Sequence, residues 1–536
     1  MLVQSISDKE KKITGIPLQT RMLAEAFQKE VETYFLSQRS EPELPKQLCL
    51  VDLYKKLIEE KINIFKSKGE IAEEQQTDNI LSDISITKNH QKLALDTLLP
   101  ELKDTVLKLE ECDLLAPEAI SRIGIVQYID DKPHFIHRTF AEYYVADFLA
   151  TQLTKENHYL LEVLKLLFRI LLCEENLGIR NFLDGLLGKT EKSKVIKQYE
   201  EQIYKIWTVK KSHKLFQFKK EELTRESIQT ALLQAAAEGS AHIIHFFFSS
   251  LKSTGNSNTI NELLLHKDIF GKNAWELAAR VGQLKTLRKL WDWGRELHVN
   301  LKDELLLAKD SDGQTAWDIA EIYSNREILE TLWVWGRKVQ VNLKNDLLLA
   351  KGRDGLTAWH RAAIMGKKEI LVTLWRWGRD VQVNHKDDLL LAKSKNGLTA
   401  WEIAAISGNK EILETLWFWG RELQVNLKDD LLLAKGFDGR TAWEIAAWNG
   451  RKEILEILWC WGRKVQINLK DDLLLAKGRK GLTAWDIASC DCNKEILETL
   501  CVLGREVRVN LKDNLLLAKV RDGLKWINCL GHCSMK

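Results

Sequence analysis

Residues 354–384 read D-G-L-T-A-W-H-R-A-A-I-M-G-K-K-E-I-L-V-T-L-W-R-W-G-R-D-V-Q-V-N, and nearly the same words recur down the second half of the chain. Trp275, Trp317, Trp359, Trp401, Trp443 and Trp485 stand 42 residues apart. Gly271, Gly313, Gly355, Gly397, Gly439, Gly481 and Gly523 keep the same step, and so do Asn300, Asn342, Asn384, Asn426, Asn468 and Asn510. A fixed period of this length signals a stacked array, in which no unit closes a core by itself.

Asp354-Gly355 is a turn signal, because glycine reaches positive φ at little steric cost. Thr357 stands where a helix N-cap belongs. Trp359, Ala362 and Ala363 then fall on one helix face, and Gly366 ends this short first helix. A second helix starts near Lys368, with Ile370, Leu371, Leu374, Trp375 and Trp377 as its apolar stripe. Asn384 is placed to cap a third, shorter helix, with Asp387 and Asp388 near its positive end and Leu389, Leu390 and Leu391 buried. Stacking hides the stripes, and each tryptophan contributes roughly 1.5–3 kcal/mol or more by burial.

These residues resemble the ankyrin repeat, whose pattern is G-x-T-P-L-H-x-A-A-x-x-G, a second helix, L-L-x-x-G and an Asn. Gly355, Thr357, Trp359, His360, Ala362, Ala363, Gly366, Leu374, Gly378 and Asn384 fall on it. Ala358 stands where the family has proline, and the step is 42 against about 33 in the family. The added residues are expected in a lengthened second helix and in the Leu389–Leu391 segment. The resemblance covers residues 226–536, about seven units with the last truncated, and implies an α-solenoid that binds protein.

At 536 residues there is room for roughly two to four domains. Lys plus Arg is 79 against 76 acidic residues, a net charge of +3, which argues against nucleic acid or an anionic membrane as the main partner. Nine cysteines without a framework spacing fit a reducing compartment. The opening residues, with Asp8, Glu10, Lys11 and Lys12, do not read as a signal-peptide core. The most apolar stretch, residues 160–173, is short and carries Glu162, Lys165 and Arg169, so it reads as a core helix. A cytoplasmic protein is the expectation.

In the front half, residues 20–34 and 48–65 read as amphipathic helices, with a loop over 37–47 and a polar surface insertion over 66–79. Residues 90–115 give one or two more helices. The period then changes: 123–129 is apolar and β-rich, 130–133 is a turn, 134–137 returns, and 139–153 is helical again. Helices, one hairpin and a helix suggest a winged-helix unit.

Residues 135–149, F-I-H-R-T-F-A-E-Y-Y-V-A-D-F-L, resemble the winged-helix signature of the NACHT group of nucleotide switches, and Gly15-Ile16-Pro17-Leu18 resembles that group's G-x-P-L motif. The resemblance implies a NACHT-like helical subdomain over 1–78, a winged-helix-like domain over 79–155 and a helical connector over 156–225. It also implies that Pro17 packs on adenine and that His137 touches the β-phosphate of ADP. From the residues alone, a histidine at a strand end is usually structural, and a proline before a helix is usually an N1 proline.

Such a switch needs G-x-x-x-x-G-K-[ST] opening a helix after a buried strand. Gly185-Leu186-Leu187-Gly188-Lys189-Thr190 imitates it, but Leu183 stands where the first glycine is required and the run is helical. Gly188-Lys189-Thr190 reads as a helix C-cap and polar loop, and Asp52 as a helix start. No G-x-S-x-G, H-E-x-x-H or paired-carboxylate signature occurs. The expectation is no enzymatic activity and no cofactor in this chain, with ADP or ATP relevant only if an NTPase core lies upstream.

Residues 227–250 form a degenerate first repeat, with Leu232 in place of the tryptophan and Phe246-Phe247-Phe248 in place of the later Trp pair. Between repeats, two columns vary while the core words stay fixed. One holds Arg280, Ile322, Ile364, Ile406, Trp448 and Cys490; the other holds Asp292, Val334, Arg376, Phe418 and Cys460. Varied positions on a repeated frame are where solenoids carry recognition, although unselected surface also drifts. Arg280, Ile322, Ile364, Arg376, Ile406, Phe418 and Trp448 are therefore the partner-binding candidates.

In the final units Cys501 and Leu503 replace the Trp pair, and Cys490, Cys492, Cys529, His532 and Cys533 match no common zinc spacing. Both ends read as cut. The leading expectation is a mainly α scaffold, helical and winged-helix at the front and solenoidal behind. It would bind protein through the repeats, with a front half that packs or self-associates, and would use neither nucleic acid nor membrane. The alternative is the C-terminal part of a NACHT-type sensing switch, in innate defence or signalling.

Overall fold

The computed structural model describes residues 22, 24–27, 49–67, 83–100, 117–130, 132–154, 159–189, 199, 203, 225–252, 257–436, 439–478, 481–490 and 493–508. The chain is mainly α-helical and divides into two compact units, Met1–Asp268 with Lys285–Val299, and Ile269–Leu284 with Asn300–Lys536.

The first unit contains α1 (Leu50–Ser67), α2 (Asp83–Leu98), α3 (Pro117–Arg122), β1 (Val126–Ile129), β2 (Lys132–Phe135), α4 (Arg138–Thr154), α5 (Leu160–Leu172), α6 (Leu177–Lys189), α7 (Arg225–Glu238) and α8 (Ala241–Lys252). Helix α4 is apolar nearly all round, so it is buried nearly all round. It packs against α2 and α6, with Tyr143 edge-on to Phe182 at 5.5 Å. Burial pushes the Tyr54 phenol, which faces this cluster, up to about 12. Helix α5 is the expected core helix, with Val163, Leu164, Leu166, Leu167, Phe168, Ile170 and Leu171 inside. Among the described residues no helix is long and apolar enough to cross a membrane.

The hairpin is shorter than its sequence suggests. Gly124, at φ 79°, turns the chain out of α3 and delays the strand to Val126. Ile129 pairs directly with Lys132 while Asp130 sits at φ 51°, so Lys132 and Pro133 belong to β2 and not to the turn. Helix α6 ends at Lys189, within the run expected to close a helix, and Thr190 lies outside the described residues. Its glycines serve close packing: a Cβ on Gly185 would lie 2.7 Å from Val51, and one on Gly188 would lie 2.7 Å from His242. Lys189 pairs with Asp52 in the first turn of α1.

Helices α7 and α8 bury Leu232, Ala235 and Ala236 as a first repeat should, and Gly239 turns between them at φ 81°. They pack on the front helices. Phe247 lies 5.6 Å from Phe168, and the buried Arg180 forks onto Glu238 at 2.7 Å while donating to the carbonyl of Ile170 at 2.8 Å. Both helices therefore belong to the first compact unit.

The second unit repeats one design. First helices are Ala274–Val281, Ala316–Ile322, Ala358–Ile364, Ala400–Ser407, Ala442–Trp448 and Ala484–Cys490. Their starts are capping boxes. Thr399 Oγ1 accepts from the Glu402 N–H, and the Glu402 carboxylate accepts from the Thr399 N–H at 2.7 Å. Second helices are Arg326–Lys338, Lys368–Asp380, Lys410–Glu422, Lys452–Lys464 and Lys494–Glu506. Each is stopped by a non-glycine residue in the left-handed region, Gln340, Gln382, Gln424 and Gln466 among them. The residues added after Gly378 first carry the second helix on to Asp380, as expected. They then form a third element, as in Leu427–Leu432, capped by Asn426 and closed by the wide Leu433 N–H to Lys428 carbonyl bond at 2.8 Å. In the Leu389–Leu391 triplet, Leu389 and Leu390 are buried but Leu391 is only half-buried, since it lies past the end of that turn.

Tryptophan joins successive repeats. Trp359 sits 5.7 Å from Trp375 of its own repeat and 5.7 Å from Trp419 of the next, and Trp375 and Trp419 stack face to face at 4.2 Å. Trp401, Trp417 and Trp461 repeat the cluster, as do Trp317, Trp333 and Trp377. The loops ahead of the first helices are tied sideways, for example by the Lys395 N–H to Gly355 carbonyl bond at 3.1 Å.

Candidate recognition surface

A first helix is buried along its length, so it reaches the surface at its two ends. At Ala358–Ile364, residues 358 to 363 are all buried and Ile364 is exposed. The ends line up because each is held by the next repeat. Asn409 Nδ2 donates to the carbonyls of Ala363 at 2.7 Å and Ile364 at 3.0 Å, and Asn325 does the same to Ala279 and Arg280. Arg451 Nε reaches the Ile406 carbonyl at 3.1 Å. These bonds satisfy the carbonyls that a helix leaves open at its C-terminus.

The result is a ridge of helix ends. Arg280, Ile364 and Trp448 are exposed, and Ile322 and Ile406 are half-buried. Trp448 is 44% exposed, high for an indole in an array where Trp275, Trp317, Trp359, Trp401 and Trp443 are all inside. The Arg280 guanidinium lies 5.7 Å over the Tyr323 ring, and that of Arg440 lies 4.1 Å over Trp448.

Arg376 and Phe418 lie elsewhere. Each stands between two buried tryptophans of a second helix, so it faces away from the core; Phe418 is 56% exposed. The structure thus splits the candidates into a row of first-helix ends and a row on the outer side of the second helices, which Val334 and Cys460 share. Sequence reasoning missed Val281, Tyr323 and Met365, all exposed one position beyond the first row. Their column continues as Ser407 and Asn449 and varies as much as its neighbour, a signal that was present in the repeats.

One cluster of charges is inside the second unit. Arg361 donates to Glu321 at 2.8 Å, Asp318 at 3.1 Å and Asp354 at 3.0 Å. Burial pushes the Glu321 carboxyl well above the carboxylate range, against the pull of Arg361. The adjacent His360 Nε2 donates to the Ala392 carbonyl at 3.1 Å, and its Nδ1 bonds the Thr357 hydroxyl at 2.8 Å. Burial brings its pKa down to about 4. Apart from Asp354, whose side chain is 48% exposed, these groups face one another and not the solvent, so they belong to stacking.

Pro17 lies outside the described residues. His137 is exposed at the entry to α4, where its Nδ1 accepts from the Thr139 N–H at 3.2 Å and from the Thr139 hydroxyl at 2.8 Å. Tyr54 donates in turn to that hydroxyl at 2.5 Å. His137 therefore caps a helix, as a structural histidine would, while Nε2 makes no hydrogen bond to a described residue. Among the described residues no group of His, Cys, Asp or Glu could hold a metal ion.

No protein-family model matches the chain, and no curated protein matches it.

Proposed function

We propose that this chain is a cytoplasmic protein-interaction scaffold, whose repeats, similar to ankyrin repeats, bind a protein partner through the ridge of first-helix ends. It performs no chemical step of its own. One observation carries the reading: the residues that vary between repeats at these ends are exposed or half-buried and largely apolar, on a frame whose fixed residues are inside. Exposed aromatic and aliphatic side chains flanked by arginine have the composition of an interface core. The test is selection of peptides from a random library on the full chain, followed by re-binding to Trp448→Ala and Ile364→Ala. Loss of about tenfold or more in affinity with an unchanged melting curve is expected; undiminished binding to both variants sinks the reading.

A second reading is the back half of a NACHT-type switch. The exposed His137, with Nδ1 fixed by Thr139 and Nε2 unoccupied by described residues, supports it. Calorimetric binding of ADP that disappears in His137→Ala would favour this reading over a scaffold.

A further inference from the structure

The cations of the second unit fall into two classes. On the second helices and third turns they are paired from repeat to repeat: Lys344 with Asp388 at 3.2 Å, Arg463 with Glu506 at 2.6 Å, Lys452 with Glu495 at 3.5 Å. In the loops ahead of the first helices Lys272 pairs with Asp310 at 2.9 Å and Arg353 with Asp312 at 3.2 Å, but a row of lysines there has no such partner among the described residues. Loops 351–356, 393–398, 435–440 and 477–482 hold nine Lys or Arg against two Asp, on a chain whose net charge is only +3. Lys351, Lys393, Lys435 and Lys477 stand at the same 42-residue step and are all exposed. Lys393, Lys395, Lys435 and Lys477 form no ion pair with a described residue. Lateral bonds hold this row in register, among them Lys351 Nζ to the Lys393 carbonyl at 3.3 Å.

The loop row and the ridge flank the same helices. A first helix of seven residues separates them by about 10 Å. Arg440, the last loop residue of its repeat, bridges that gap by lying over Trp448. We infer that the partner is an acidic, extended polypeptide segment, its carboxylates on the loop lysines and its apolar side chains on the ridge. This rests on the ridge as the binding face. Packed helices repeat at about 8–10 Å and an extended chain advances about 3.3 Å per residue, so one carboxylate about every third residue matches one lysine per repeat. A nucleic acid would satisfy the lysines but offers nothing aliphatic to Ile364, Met365 and Ile406.

The probe is a labelled peptide of about 12 residues repeating Glu-Leu-Ser, followed by fluorescence anisotropy on the full chain at about 50 mM and about 200 mM salt. Wild type binds it, more weakly at the higher salt. The double variant Lys393→Glu with Lys435→Glu weakens it about tenfold or more, with an unchanged melting curve. A Gln-Leu-Ser peptide binds comparably weakly. No binding by wild type, equal binding by the double variant or by the Gln peptide, or tighter binding of single-stranded oligo-dT each overturns the inference. Loss on Trp448→Ala with full binding by the double variant keeps the ridge and removes the acidic partner.

Discussion

At positions equivalent to 361 the other first helices carry Leu277, Ile319, Ile403, Ile445 and Ile487; at positions equivalent to 321 they carry Ala279, Ala363, Ala405, Ala447 and Ser489. Arg361 and Glu321 depart from these columns in adjacent repeats and meet inside the stack, with side chains 6% and 3% exposed. Arg361→Ile removes the cation paired with Glu321 and leaves a buried carboxylate, which should cost about 3–5 kcal/mol. Glu321→Ala is milder, because Arg361 keeps Asp318 and Asp354. The double variant restores the apolar pair used in the other repeats. It should lie within about 1 kcal/mol of wild type or above it, since apolar replacement of a buried ion pair is often neutral or stabilising by about 1–4 kcal/mol.

The cycle should therefore show a coupling of about 3 kcal/mol or more. Denaturant unfolding followed by tryptophan fluorescence suits it, because the Trp clusters lie in this unit. The sign with pH is also fixed. Burial raises the Glu321 carboxyl, so the contribution of its protonated form is complete below the ordinary carboxyl value and is lost as pH rises through the raised one. Without Arg361 the main pull against that rise is gone. Arg361→Ile should come nearest to wild type in mild acid and fall furthest behind at alkaline pH. A double variant whose loss equals the sum of the two single losses would refute the reasoning.

Trp401→Ala, which empties the site between Trp417 and Trp461, should cost about 3–5 kcal/mol in denaturant unfolding; an unchanged curve would contradict its place in the core. His360 is held neutral in the fold down to about 4, while in the unfolded chain it takes a proton near the usual value of about 6.5. Its contribution is thus present above about 6.5 and lost as pH falls toward about 4. His360→Gln, which keeps a hydrogen-bonding N3 residue, should remove that acid-side loss, measured as the difference between the two melting temperatures across this range.

The repeat was legible because its determinants are local. A Thr or Asn before an acidic N3 residue, alanines four apart and a 42-residue Trp step each act within one unit or on the next. The exact stop of the second helix was not legible, because it is a glutamine at positive φ, a residue that carries no such preference. Nor was the hairpin turn, where Lys132 and Pro133 resemble turn residues yet pair as a strand. The glycines at 185 and 188 looked like phosphate-loop chemistry, and only the nearness of Val51 and His242 shows what they permit.

Variation between repeats located the candidate surface, yet variation alone does not separate a recognition residue from a compensated one. Glu321, His360 and Arg361 depart from their columns just as Trp448 departs from its own. They are buried, and each finds its partners in the stack, so their variation is a swap of one packing solution for another. The exposed columns have no such internal answer. Trp448 stays 44% exposed even under the Arg440 guanidinium, and no described carboxylate pairs with Lys393 or Lys477. A departure from the repeat that is balanced inside the fold explains itself; one that is left unbalanced at the surface needs something outside the chain to meet it. By that criterion the loop lysines and the helix-end ridge are the places to look for a partner, and the Arg361 cluster is not.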